Sequence, residues 1–177
     1  IDRLKEVADI WDNPANIPKG DNWGYQYDTK KNRAFMKPCI QSSTHDFIRD
    51  KRAYRIAEIA VDGVTEGNRQ MEQTSGTLEE NQPWWQVDLG ANYSINEITI
   101  FNRTDAGKES LSNYTLSILD AAGNIVWNNI QQKHPDPSSQ ISVPDIDGRF
   151  VKIQLNSHGE LAIAEVIVIG TIAPLIA

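Results

Sequence analysis

From about Ile40 to Gly170 the chain is written as short β-rich runs separated by turn clusters, and this rhythm limits the fold more than any other feature. "WWQVDL" at 84–89, "SINEITIFNR" at 94–103, "NYTLSILD" at 113–120 and "NIVWNN" at 124–129 each read as a strand. So do "SQISV" at 139–143, "RFVKIQL" at 149–155 and "AIAEVIVIG" at 162–170. "DAAGN", Asp120 to Asn124, supplies a hairpin turn between two of them. Little helix is expected after residue 40, and strands at this spacing predict a sandwich or barrel. Neighbours in a strand point to opposite faces, so one of Trp84 and Trp85 enters the core and the other needs a different home.

The upstream part has another character. Ile1, Leu4, Val7, Ala8 and Trp11 stand at helical spacing, and Pro14 and Pro18 end that pattern. Residues 13–39 are rich in Pro, Gly, Asn and Lys, with Trp23, Tyr25 and Tyr27 alternating, and read as a connector with one short strand. The expected organisation is therefore an extension over 1–39, a β-sandwich over 40–170, and a linker over 171–177. Ile1 is no start residue, so the chain reads as a processed or excised fragment. The apolar "TIAPLIA" tail points toward a further domain.

The formal charge of −7 argues against nucleic acid and against an acidic membrane surface as partners. No apolar run approaches the roughly 20 residues of a membrane span. The single cysteine, Cys39, makes no internal disulfide and reads as a buried, inert thiol. Sequons stand at Asn92, Asn102 and Asn113. The usual catalytic constellations are missing: His45, His134 and His158 are far apart, and no GxSxG, phosphate-cradling loop or CxxC pair occurs. Glu79 and Glu80 are adjacent, and strand neighbours diverge. The chain is therefore expected not to be an enzyme.

The order "QSS … AVDG … QPWWQVDLG … ITIFNRTD … LSNYTLSILD … RFVKIQL … AEVIVIG" resembles the fucolectin and discoidin-like domains. These coagulation-factor C-type domains overlap carbohydrate-binding module families 32 and 47. The resemblance covers roughly residues 40–170. It implies an all-β jelly-roll β-sandwich (galactose-binding-domain-like), a structural calcium ion and a sugar site in the loops at one end. The N-terminal extension, short helical or irregular, lies outside it. In such domains one ring of the double tryptophan packs between the sheets and the other covers a loop near the calcium turn; placing both in the core is the plainer alternative.

The resemblance also implies the calcium ligands. In "EIAVDGVTEGN" they are the Asp62 carboxylate and the carbonyls of Ile59 and Val64, with a hydroxyl from Thr74 or Ser75. In "IAEVIV" they are the Ala164 carbonyl and the Glu165 carboxylate. Calcium takes six to eight oxygens of this mixed kind. Glu165 has independent support, being the only charge in "LAIAEVIVIG". A buried carboxylate is costly unless paired or metal-bound. The bland alternative has Glu165 facing solvent and Asp62 merely making a turn.

Fucose-binding members use one His and two Arg. Carried through the "QPWWQVDLG" anchor, the His position falls on Gly76, the first Arg on Arg103 and the second on Ser110. Their adjacent-cysteine pair falls on Ala106 and Gly107. One polar anchor of three survives, which speaks against strict fucose specificity. Arg103 alternatively forms an ion pair with Asp105. Basic residues gather in the same loops: Arg49, Lys51 and Arg52 (beside Tyr54), Arg69 and Lys108. Guanidinium and ammonium groups suit carboxylate or sulfate. The expected ligand is an acidic glycan, uronic or sulfated, and the expected setting is a secreted polysaccharide-degrading enzyme, extracellular or on a bacterial surface. Ordinary solvated loop charge is the alternative, since Asp50, Glu66 and Glu109 are interspersed. A structural or protein-interaction domain and a free fucose- or galactose-type lectin are the rival functions.

Overall fold

The computed structural model describes residues 32–45 and 55–173. The chain divides into two units, Ile1–Lys31 and Asn32–Ala177. The expected N-terminal helix, Trp23, Tyr25 and Tyr27 all lie outside the described residues.

The described residues of the second unit form eight strands: β1 (Cys39–Gln41), β2 (Glu80–Asn81), β3 (Trp84–Phe101), β4 (Tyr114–Leu119), β5 (Ile125–Gln131), β6 (Ser138–Leu155), β7 (His158–Gly159) and β8 (Glu165–Ile172). The main sheet runs β1-β3-β6-β4-β5, with β8 on β3, and β2 pairs β7 separately. The helical elements among the described residues are 3₁₀ turns at Ala57–Val61, Arg69–Met71 and Lys108–Ser110. The all-β sandwich expectation holds.

Two sequence expectations are corrected. "WWQVDL" and "SINEITIFNR" are one strand of 18 residues, β3, and "SQISV" and "RFVKIQL" are likewise one strand of 18, β6. Gly90, Pro144 and Gly148 look like breakers, yet the chain bends there and keeps pairing. The β3–β6 register shifts between Asp88 and Tyr93 and again between Ile95 and Glu97. Such bulges turn a strand without ending it. The first part of β3 pairs β1 and the end of β6, and the second part pairs β8 and the start of β6. Two long bent strands thus serve both layers of the sandwich. The sandwich also takes in residues beyond the expected limits of 40 and 170. Asn32 bridges to Ile169, the Arg33 amide donates to the Val168 carbonyl at 2.7 Å, and Ala34 is fully buried.

The core lies between the layers, with Trp85, Val87, Leu89, Ile98, Ile100, Leu116, Ile118, Ile153 and Val166 all fully buried. Alternation along β3 produces this directly. Trp85 takes both roles divided between the two rings above: it is fully buried, and its Nε1 donates to the Ala57 carbonyl at 2.8 Å, in the turn leading to Asp62. Placing Trp84 in the core is corrected, because the odd-numbered neighbour owns that face. Trp84 is half-buried on the opposite side, under the Lys152 ammonium at 5.1 Å. The Cys39 thiol is free and buried, and burial pushes its pKa up. Asn102 is fully buried, so its sequon is closed to glycosylation in the folded chain.

Candidate functional site

The segment 57–82 leaves the sheet as a long loop and is stitched back to the chain before β8. Ser75 N donates to the Ile163 carbonyl at 2.9 Å, Thr77 N to the Leu161 carbonyl at 3.0 Å, and Leu161 N to Thr77 Oγ1 at 3.0 Å. At its start, Gly63 has φ +89, a conformation that glycine adopts without a Cβ penalty. Asp62 Oδ1 accepts from Val64 N at 2.8 Å.

Beneath this turn lies Glu165, 1% exposed. Its Oε2 accepts from Gly63 N at 3.1 Å, while Oε1 is buried without a hydrogen-bond partner. Burial raises its pKa to about 9, offset by the Gly63 amide and reinforced by the Asp62 carboxylate. The Asp62 carboxyl is likewise pushed up, first by burial. The outward-facing alternative for Glu165 is thus overturned. Thr74 Oγ1 is the second buried orphan here, whereas the Ser75 hydroxyl donates to the Ile163 carbonyl at 3.2 Å. The Glu165 oxygen without a partner, with the Asp62 carboxylate nearby, fits a cation of the calcium type, and the unpartnered Thr74 hydroxyl suits such a shell better than that of Ser75. Among the described residues no three His, Cys, Asp or Glu side chains converge, so carbonyls from Ile59, Val64 and Ala164 would have to complete any such shell.

The same loop holds the rim. Thr104 N donates to the Gly67 carbonyl at 3.0 Å, and Thr104 Oγ1 to the Glu66 carbonyl at 2.6 Å. Gly67 has φ +67, and a Cβ there would stand 2.4 Å from the Asn102 carbonyl oxygen and 3.1 Å from Arg103 Cα. Only glycine permits this approach. Asn102 braces the next loop, its Nδ2 donating to the carbonyls of Lys108 at 2.8 Å and Pro135 at 3.1 Å.

Arg103 therefore projects from a fixed backbone. Its Nε donates to Asp105 Oδ1 at 2.7 Å, and the guanidinium lies over Gly107. The Arg103 hydrogen bond holds the Asp105 carboxyl below its usual pKa. Lys108 Nζ is 3.1 Å from Asp136 Oδ2, and Arg69 donates both terminal nitrogens to Glu160. Ser110 is exposed at the end of its 3₁₀ turn. Arg49, Lys51, Arg52 and Tyr54 lie outside the described residues.

Sequence reasoning missed Arg55, the residue after Tyr54. Its carbonyl accepts from Gly76 N at 3.1 Å and from Gln41 Nε2 at 3.0 Å. The Gly76 carbonyl accepts from His45 N at 2.9 Å and from Gln41 Nε2 at 3.1 Å. His45, Arg55 and Gly76 thus meet at one knot, tied by a glutamine that no motif marks.

The fold agrees with that of known proteins. The family model described as "NedA-like, galactose-binding domain" matches residues 59–153. Fucolectin-1 of Anguilla japonica is 30% identical over 113 residues, 60% of this chain and 64% of that protein, so the match spans less than two thirds of the curated relative's length. A fucose binding module of Streptococcus pneumoniae superposes with a TM-score of 0.74 at 30% identity, covering 81% of this chain and 97% of the module. The lectin domain of lectinolysin, complexed with Lewis B antigen, superposes at 0.72 with 27% identity, covering 79% and 96%. These relatives are lectins or binding modules by name. No described helix is long and apolar enough to cross a membrane. The chain belongs to the NedA-like, galactose-binding domain family, within the coagulation-factor C-type group.

Proposed function

We propose that the chain is a non-catalytic glycan-binding module, stiffened by a structural calcium ion, whose ligand is an acidic glycan of the uronic or sulfated kind. The observation that carries the reading is Arg103: a guanidinium oriented by Asp105, on a loop that Gly67 and Thr104 clamp to the candidate calcium loop. A fixed guanidinium presents parallel donors to a carboxylate or sulfate. Arg55, Arg69 and Arg103 against Glu160 and Asp105 leave one positive charge over, which favours an acidic ligand in a chain whose net charge is −7.

Asp62, Glu165, Thr74 and the carbonyls of Ile59, Val64 and Ala164 would hold the calcium, with Ser75 bracing the loop through Ile163. When bound, calcium supplies charge neutralisation for two carboxylates. The protein groups then keep the rim loops in register for the ligand. The module would be secreted or extracellular and would hold a linked polysaccharide-degrading catalytic domain at its substrate, raising effective concentration.

The second reading, a neutral fucose-type lectin, is favoured by the names of the relatives. Affinity electrophoresis in gels containing fucosylated neutral, uronic or sulfated glycans separates the two. The acidic reading expects retardation by charged glycans that weakens with salt and is lost in Arg103→Ala. Retardation by neutral fucosylated glycans alone selects the lectin. No retardation in any gel overturns both and leaves a scaffold role.

A further inference from the structure

We propose that Arg55 acts beside Arg103 as a second anion-recognising residue of this site: its side chain packs over Gly76, where any Cβ would crowd it, and it receives the carboxylate or sulfate of the glycan. The inference rests on the acidic-glycan reading and assigns its charged group to a residue.

Space comes first. A Cβ placed on Gly76 would lie 3.1 Å from Arg55 Cδ, 3.5 Å from Arg55 Cβ and 3.6 Å from Glu160 Oε1. The Arg55 stem crosses the position where a longer side chain would emerge. Gly76 itself is backbone-bonded on both sides, to Arg55 and to His45, so the Arg55 main chain and its neighbour cannot drift from this place without breaking those bonds.

Charge comes second. Among the described residues each other cation here already has a carboxylate: Arg69 has Glu160, Arg103 has Asp105 and Lys108 has Asp136. Arg55 has no carboxylate within ion-pair distance among the described residues. Its electrostatic neighbours are Arg69, Glu160, Arg103 and Asp105, two pairs that largely cancel. Among the described residues the uncompensated charge of the knot is therefore the Arg55 guanidinium. Its pKa is held below the usual value, first by burial and then by Arg69. An arriving anion offsets both effects, because an opposite charge nearby favours the charged guanidinium.

A second unsatisfied group points the same way. His45 Nδ1 is buried without a hydrogen-bond partner, and its residue is joined through its amide to the Gly76 carbonyl. A planar carboxylate and a tetrahedral sulfate both take two guanidinium bonds, so the shared chemistry is a bidentate oxyanion on a sugar ring.

Titration calorimetry with uronate oligosaccharides and, separately, with sulfated oligosaccharides tests this and distinguishes the two sources. Arg55→Ala is expected to weaken binding of the recognised class by about tenfold or more, and Arg55→Lys, which keeps charge without the fork, to recover only part. Gly76→Ala must displace the Arg55 stem and is expected to weaken the same ligand without removing any charge. Calcium-dependent melting of each variant, unchanged, certifies the fold. Acidic glycans bound equally by wild type and Arg55→Ala overturn the assignment and leave the acidic-glycan reading standing. A wild-type chain that ignores both acidic classes overturns the assignment and that reading together.

Discussion

Asp88 and Glu165 are both carboxylates on strands of the same sheet, and their surroundings are opposite. Asp88 on β3 takes two bonds from Arg149, Nε to Oδ1 at 2.8 Å and Nη2 to Oδ2 at 2.7 Å, and a third from Gly90 N at 2.8 Å. The Arg149 hydrogen bonds hold its carboxyl below the usual pKa. Glu165 on β8 has one amide on Oε2, nothing on Oε1, another carboxylate nearby and a pKa raised to about 9 by burial. Folding tolerates a charge readily when every lone pair is used. A carboxylate left half-satisfied at 1% exposure is a costly arrangement that a cation would relieve.

The largest expected difference lies in pH dependence after chelation. The folded-state pKa of Glu165, about 9, stands above its ordinary value of 4.5. Between those values the calcium-free folded chain holds a proton that the unfolded chain has released. Its contribution is complete below the lower value and lost as pH rises through the upper one. At pH 7 the loss relative to acid is about 3 kcal/mol. Saturating calcium should remove that slope, adding about 2.7 kcal/mol at a hundredfold excess over Kd. Glu165→Gln should flatten the slope and abolish the calcium response. Melting curves at several pH values, with chelator and with calcium, read both. A flat profile in chelator that calcium does not shift would remove Glu165 from any metal site.

How much of this was legible in the sequence follows from the range of the interactions. The double tryptophan, the "DAAGN" turn and the lone charge in "LAIAEVIVIG" are local patterns, and period-2 alternation carries them into place. Asp120 indeed accepts from Ala122 N and Asn124 N within that turn, each at 2.9 Å. The fusion of four expected strands into β3 and β6 was hidden, because Gly90, Pro144 and Gly148 break a pattern without breaking a ladder. Arg103 was visible through its motif. Arg55 was not: its significance comes from Gly76, distant in sequence, and from carboxylates that neutralise its rivals but not itself. Such pairing is a property of the folded rim, where charges from residues 55, 69, 103, 105 and 160 meet.

A smaller effect separates Thr74 from Ser75. Thr74 Oγ1 is buried without a partner, so Thr74→Val removes a desolvated hydroxyl and keeps the shape. In chelator the variant should match or exceed wild type, by up to about 1 kcal/mol. In calcium the order should reverse. Ser75→Ala loses a bond to the Ile163 carbonyl and should be weaker than wild type in both conditions. Parallel behaviour of the two variants would mean that Thr74 contributes nothing to cation binding.

The smallest effect belongs to Asp88. It and Arg149 are partly exposed, 29% and 37%, so water and salt screen the pair. Its depressed pKa gives the opposite sign to Glu165: the contribution is present above the ordinary value of 3.8 and is lost as pH falls through the lower folded value. Chelated wild type should therefore lose stability at both ends of the pH range, with a maximum between. Asp88→Asn should soften only the acid limb and leave the alkaline limb intact. Added salt should erase the Asp88 difference before it touches the Glu165 slope, because the buried group is beyond counterion reach. If Asp88→Asn instead altered calcium-dependent melting, the two carboxylates would be coupled through β3, and the division between a satisfied and a waiting charge would fail.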